Sequence, residues 1–213
     1  MLQFILDHTR LQSPTDLPEL RLHLADQVMP IWRLMEAAAG GAEVPPPYWA
    51  FAWVGGIAIA RHLLDQPHEA AGRRVLDFAA GSGLCSIAAS KAGASEVLAS
   101  DIDPHAAVAV QLNAAANGVQ IGFSALDLLL EDPPRVDLIL AGDVCYEERM
   151  TVRVMDWLGI AAARGSRVLI GDPGRSYLPA AGMRRLAEYS LRTTRELEER
   201  DSMSAAVYEL DPS

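Results

Sequence analysis

The sequence predicts a doubly wound α/β fold: a seven-stranded, mostly parallel sheet preceded by an N-terminal helical extension. Three observations predict it. From residue 73 onward, short apolar runs without clean polar alternation recur between helical stretches, the pattern of strands covered on both faces. The first run opens into a glycine turn followed by a helix. The last two runs are joined by a turn too short for a parallel crossover, so they must be antiparallel.

The elements follow in order. Residues 16–39 read as one or two amphipathic helices, with Asp16 as N-cap and Leu17, Leu20, Leu24, Val28, Ile31 and Leu34 at helical spacing. Pro30 should kink or divide the run, and Gly40-Gly41 stops it. Pro45-Pro46-Pro47 is an extended lead-in to the aromatic cluster Tyr48, Trp49, Phe51 and Trp53, ahead of a helix through about Leu64. The extension is set at residues 1–44 and the sheet domain at 45–213. Residues 74–79 form the first strand, 84–92 a helix closed by Gly93, 96–101 the second strand, and 104–117 a helix opened by Pro104. Residues 120–126 and 136–141 are the next two strands, too close together for more than a very short helix. Residues 148–163 read as helix, 166–171 as the fifth strand, 179–189 as helix, and about 191–199 and 204–210 as a closing hairpin turning near Asp201-Ser202.

The 213 residues are 50% hydrophobic and 22% charged, enough apolar material for one sizeable core and too much for a disordered chain. No apolar run is long enough for a membrane span. The first residues are too short and too acidic for a targeting peptide, so a cytoplasmic protein is expected, and separately a monomer. Cys85 and Cys145 lie 60 positions apart without metal-binding spacing, and neither a disulfide nor a metal site is expected. The net charge of −10 disfavours a nucleic-acid partner and mildly favours a cationic one.

Open α/β sheets bind ligands beyond the carboxyl ends of their strands. The first such end is Asp77-Phe78-Ala79-Ala80-Gly81-Ser82-Gly83, where Gly81 and Gly83 permit a sharp turn and close approach to a ligand. A dinucleotide fingerprint would place a third glycine at position 86, where Ser86 stands. Asp101, 20 positions beyond Gly81, is placed to accept ribose hydroxyls, and Asp77 can meet a ligand ammonium. S-adenosylmethionine carries both groups and no phosphate, so it suits the constellation better than NAD. The competing reading makes Asp77 a turn cap and Asp101 the cap of the helix at Pro104. Asp127 lies either at the adenine amino group or at a turn as its cap.

The fourth strand ends in Gly142-Asp143-Val144-Cys145-Tyr146-Glu147. Asp132-Pro133-Pro134, before that strand, is read as a loop. Asp143 and Tyr146 form the D-x-x-Y motif of the seven-β-strand lysine methyltransferases. Together with Pro47-Tyr48-Trp49-Ala50-Phe51, Trp53, Gly55-Gly56, Ala99-Ser100-Asp101-Ile102-Asp103-Pro104 and Gly171-Asp172-Pro173-Gly174-Arg175, they make residues 45–190 resemble the electron transfer flavoprotein beta-subunit lysine methyltransferases. The resemblance implies a class I, Rossmann-like methyltransferase that uses S-adenosylmethionine to methylate lysines of that subunit. It implies cofactor contacts at Trp53, Asp77, Gly81, Gly83, Asp101, Ile102, Asp127 and Gly142. Departures are Phe78-Ala79-Ala80, Ser82 and Cys145.

Under this reading Asp143 orients the incoming amine and Tyr146 narrows the channel; the competing reading makes Asp143 a helix cap and Tyr146 lid packing. Trp49 and Phe51 are read as pinning the N-terminal helix onto the sheet. Arg175 either meets an acidic group on the substrate or holds its turn. Cys85 reads as packing, Cys145 is given no nucleophilic role, and His62, His68 and His105 are placed on helix surfaces. The alternative functions are a nicotinamide-like small-amine N-methyltransferase and a cofactor-binding module without turnover.

Overall fold

The computed structural model describes residues 1–193 and 201–212. Its centre is a seven-stranded sheet of β3 (Arg74–Phe78), β4 (Glu96–Ser100), β5 (Gly122–Ser124), β6 (Leu138–Gly142), β7 (Arg167–Asp172), β8 (Met183–Arg192) and β9 (Ser202–Leu210) in the order β5-β4-β3-β6-β7-β9-β8. The first five strands run parallel, β9 is antiparallel to β7, and β8 is antiparallel to β9. The chain winds outward from β3 to β5, then returns to place β6 on the other side of β3. The gap between the ends of β3 and β6 is therefore the topological switch point.

Neighbouring residues on a strand point to opposite faces, and in the central strands β3, β6 and β7 both faces are buried. Leu138, Leu140 and Leu169 pack with α3 (Val54–Asp65), α4 (Leu84–Lys91) and α5 (Pro104–Asn117), while Ile139, Ala141, Val168 and Ile170 pack with α6 (Glu148–Ala163). That arrangement explains why these strands read as unbroken apolar runs. The boundaries of α6 follow from local chemistry. Glu147 accepts the N–H groups of Arg149 and Met150, while Val154, Trp157, Leu158 and Ala161 form its buried stripe.

The N-terminal region departs from expectation. Only residues 28–38 of the expected 16–39 helix are helical, as α2 (Val28–Ala38); Pro30 is its third residue, inside the first turn where no internal hydrogen bond is lost. Before it come α1 (Leu2–His8) and a two-stranded antiparallel sheet of β1 (Arg10–Gln12) and β2 (Leu22–Leu24). Asp16 caps no helix; its carboxylate accepts the Arg192 N–H at 2.7 Å. Leu17, Leu20, Leu22 and Leu24 join the main core beside α3 and α4, so burial, not helical periodicity, accounts for them. Asn113 of α5 clamps this segment, accepting the His23 N–H at 2.7 Å and donating to the Ser82 carbonyl at 2.8 Å.

The helix expected at 179–189 is instead strand β8, held by its pairing with β9. Of the strand expected at 191–199, residues 194–199 lie outside the described residues. Among the described residues no helix is long and apolar enough to cross a membrane.

Candidate active site

A cavity of about 840 Å³ opens over the switch point. Trp53, Asp77, Gly81, Asp101, Ile102, Asp127, Gly142, Asp143 and Tyr146 all line it. Gly83 does not; its φ of +77° starts α4, and a Cβ there would lie 3.0 Å from Val110 Cγ2, so this glycine serves the turn and the packing on α5. Ala79 (φ +54°) and Asp143 (φ +55°), beyond the ends of β3 and β6, are non-glycine residues in left-handed conformations, a costly geometry that clusters at ligand sites.

Asp77 is 2% exposed, and one of its oxygens accepts both the N–H and the hydroxyl of Ser86. Burial pushes its pKa up to about 7, against the opposing pull of those two hydrogen bonds. Asp77 is thus a cap for the turn and a cavity wall at once. Asp101 accepts the Gly81 N–H on Oδ2 at 2.8 Å and the Asp103 N–H on Oδ1 at 2.9 Å. A carboxylate has about four lone-pair sites, so each oxygen retains capacity for a hydroxyl. Burial raises Asp101 as well. The cap of α5 is Asp103, which accepts the His105 N–H, and not Asp101. Asp127 caps the short 3₁₀ turn Leu128–Leu130 through Leu129 N–H while lining the cavity. Ile102 is 70% exposed at the rim, an apolar face with no protein cover.

Glycines bring α3 against the tips of β6 and β7. A Cβ on Gly142 would stand 2.9 Å from Gly56 Cα, and one on Gly171 would stand 2.1 Å from the Gly55 carbonyl oxygen. Gly142 is explained by this contact as much as by its place in the cavity. The close approach delivers the Gly56 N–H to Asp143 Oδ2 at 2.8 Å, while Arg175 reaches Asp143 Oδ1 at 3.2 Å. Burial raises Asp143 to about 7, with Arg175 and the Gly56 N–H pulling the other way. The helix-cap reading of Asp143 is corrected, since Glu147 takes that place.

An aromatic group walls the other side. The Trp53 indole donates to the Tyr48 carbonyl at 3.0 Å, and the Tyr48 ring lies 5.7 Å from Trp53 and 5.4 Å from Tyr146. Tyr146 stays 41% exposed at the mouth, and burial of its remainder raises its hydroxyl pKa. Trp49 and Phe51 are buried with Ile5, Ile31 and Met35, pinning the N-terminal segment onto α5 where sequence reading placed it on the sheet. Trp49 stacks on His105 at 5.6 Å.

Two histidines are corrected. His62 is buried beside Tyr189, and His105 is half-buried against Trp49. Cys145 is buried with its thiol pushed up to about 12 by desolvation, which suits packing. Among the described residues no cluster could hold a metal ion. Sequence reading missed Tyr48 and left Arg175 undecided; the Gly55-Gly56 pair in the first turn of α3 was the available sign of a close approach.

The donor set fits a cationic nucleoside. Asp77, Asp101, Asp103, Asp127 and Asp143 line the cavity, faced by Arg175 and His105 and no lysine. Five carboxylates against a single arginine, itself engaged by Asp143, match a sulfonium and an ammonium better than a pyrophosphate.

Residues 59–143 match the family model described as ribosomal protein L11 methyltransferase (PrmA). The chain is 37% identical to the electron transfer flavoprotein beta subunit lysine methyltransferase of Xenopus laevis, over 98% of this chain and 86% of that one. Among solved structures, the ribosomal protein L11 methylase of Lactobacillus delbrueckii subsp. bulgaricus superposes with a TM-score of 0.52 at 22% identity, over 76% of this chain and 81% of that one. Magnesium protoporphyrin IX methyltransferase from Synechocystis PCC 6803, solved with bound S-adenosylmethionine, gives a TM-score of 0.51 at 22% identity, over 70% and 75%. These two structures speak to the shared fold.

Proposed function

Because the chain belongs to the electron transfer flavoprotein beta subunit lysine methyltransferase family, we propose that it methylates lysine side chains of that flavoprotein subunit, in the cytoplasm. The identity over nearly the whole of both chains carries this reading. It is an enzyme that uses S-adenosylmethionine, which supplies when bound an electrophilic methyl on a sulfonium.

Asp101 would hold the ribose hydroxyls, Asp77 the ammonium, Asp127 and Ile102 the adenine, and Trp53 the methionine end. The backbone at Gly81 and Gly142 lets the cofactor lie against the strand tips, and Gly83 shapes the turn behind Gly81. A lysine with a reference pKa near 10.4 needs ~4–5 kcal/mol at neutral pH to become a free amine. A bare carboxylate would deepen that cost by favouring the ammonium. Asp143 therefore accepts an amine N–H and aims the lone pair, and is not the proton abstractor. Tyr146, neutral across the assay range, narrows the channel and shields the amine from water.

The partial exposure of Tyr146 favours a lysine on a protein surface over a small enclosed amine. The test incubates purified enzyme and labelled S-adenosylmethionine with the flavoprotein, with small amines including nicotinamide, and alone. Label in the flavoprotein beta subunit is expected. Label confined to a small amine, or none anywhere, refutes the reading.

A further inference from the structure

We propose that Arg175 is a positioning residue for methyl transfer: it holds the Asp143 carboxylate in one orientation and cancels its field, so that lysine is received as a neutral amine. The inference rests on the methyltransferase reading above and adds the means by which an acid can stand beside the amine without trapping it as ammonium.

The two carboxylate oxygens of Asp143 are anchored from two different elements. Oδ2 accepts the Gly56 N–H at 2.8 Å from the start of α3, and Oδ1 lies 3.2 Å from the Arg175 guanidinium beyond β7. The backbone of Asp143 is left-handed at φ +55°, so its side chain is aimed by contacts rather than by backbone preference. Arg175 is in turn placed by a built turn: Asp172 Oδ1 accepts the N–H groups of Gly174 and Arg175, both at 2.7 Å. Arg175 and Asp143 both line the cavity beside Tyr146.

Among the described residues, Arg175 is the cation that acts on Asp143. Asp172 faces it from the end of β7, Cys145 and Tyr146 from its own loop, and Cys85 from α4, none of them cationic. From α3 it receives the Gly56 N–H and the positive end of the helix. An isolated buried carboxylate would draw a proton itself or hold the lysine proton. Pairing with a guanidinium opposes that pull, favours the ionised form with its acceptor capacity, and offsets its charge toward the amine.

The test compares Arg175→Gln and Arg175→Lys with the wild type. Carbon-13 NMR titration of the Asp143 carboxyl, without cofactor or substrate, should show the midpoint of Arg175→Gln moved up by at least about one pH unit. Arg175→Lys should stay near wild type. In turnover the Gln variant should lose roughly 100-fold in kcat, with its acid limb moved to higher pH. Its S-adenosylmethionine affinity should hold within about threefold, and Lys should recover at least about tenfold of the loss. An unchanged Asp143 midpoint in the Gln variant overturns the proposal, as does equal loss of cofactor affinity and kcat. Should the Gln variant fail to fold, the Lys variant decides: a midpoint about one unit above wild type, with the cation retained, overturns it too. Failure of the wild type to label the flavoprotein would sink the substrate reading and leave the NMR result standing.

Discussion

Asp77 and Ser86, nine positions apart, form a closed pair: one carboxylate oxygen accepts the Ser86 N–H at 2.8 Å and its hydroxyl at 2.6 Å. A glycine at position 86, as a dinucleotide fingerprint requires, would keep the first bond and lose the second. The serine that argued against NAD thus has a duty of its own, holding the carboxylate at the head of α4.

This pair makes stability depend on pH. Asp77 is raised by burial from 3.8 to about 7. A carboxyl raised on folding contributes stability that is complete below about pH 4 and is lost as pH climbs through about 7. Asp77→Asn, which has no charge to bury, should gain on the wild type between pH 5 and pH 8. Thermal melts across that range check it; a constant Tm difference would contradict the assignment.

Asp143→Ala should lower kcat by roughly 100-fold or more, since alignment of the amine is what it supplies. Cofactor affinity should change little. Calorimetry with S-adenosylmethionine beside single-turnover rates separates the two, and wild-type transfer by the variant would remove Asp143 from the mechanism.

Two glycines make opposite predictions. Gly171→Ala pushes a methyl to 2.1 Å from the Gly55 carbonyl oxygen, with no flexible side chain to yield. Overpacking of this kind costs ~1–3 kcal/mol or more, a fall in Tm of roughly 3–10 °C at this chain length. Gly159→Ala, inside α6 with nothing within 4 Å, should raise stability by ~0.5–1 kcal/mol. Scanning calorimetry of both variants reads the signs directly.

Ile102→Ala should weaken S-adenosylmethionine by ~1–2 kcal/mol, roughly 5- to 30-fold in Kd. Its side chain is mostly exposed, so Tm without ligand should be unaltered. Unchanged affinity would place the adenine elsewhere.

What the sequence disclosed divides along physical lines. Helix α6 was legible in its bounds because its apolar stripe is local, although its cap is Glu147 and not Asp143. The central parallel strands were legible because two-sided burial leaves their middles apolar. Strand β8 was misread because Arg184, Arg185, Leu186, Ala187 and Glu188 are good helix formers, and pairing with distant β9 overrides them. Leu17, Leu20 and Leu24 mimicked a helical stripe while being buried for other reasons. In the site, Asp77, Gly81 and Asp101 stood at readable strand ends. The partnership of Asp143 with Arg175 spans 32 positions, and no local rule connects them.

The Asn113 clamp and the four leucines ahead of α2 have a practical consequence. They tie the leading segment into the same hydrophobic interior as the sheet, so heat cannot peel it away as a loose flap while the catalytic half survives. Trimming the chain back to the triple proline would strip the interior of its lining rather than shed an ornament.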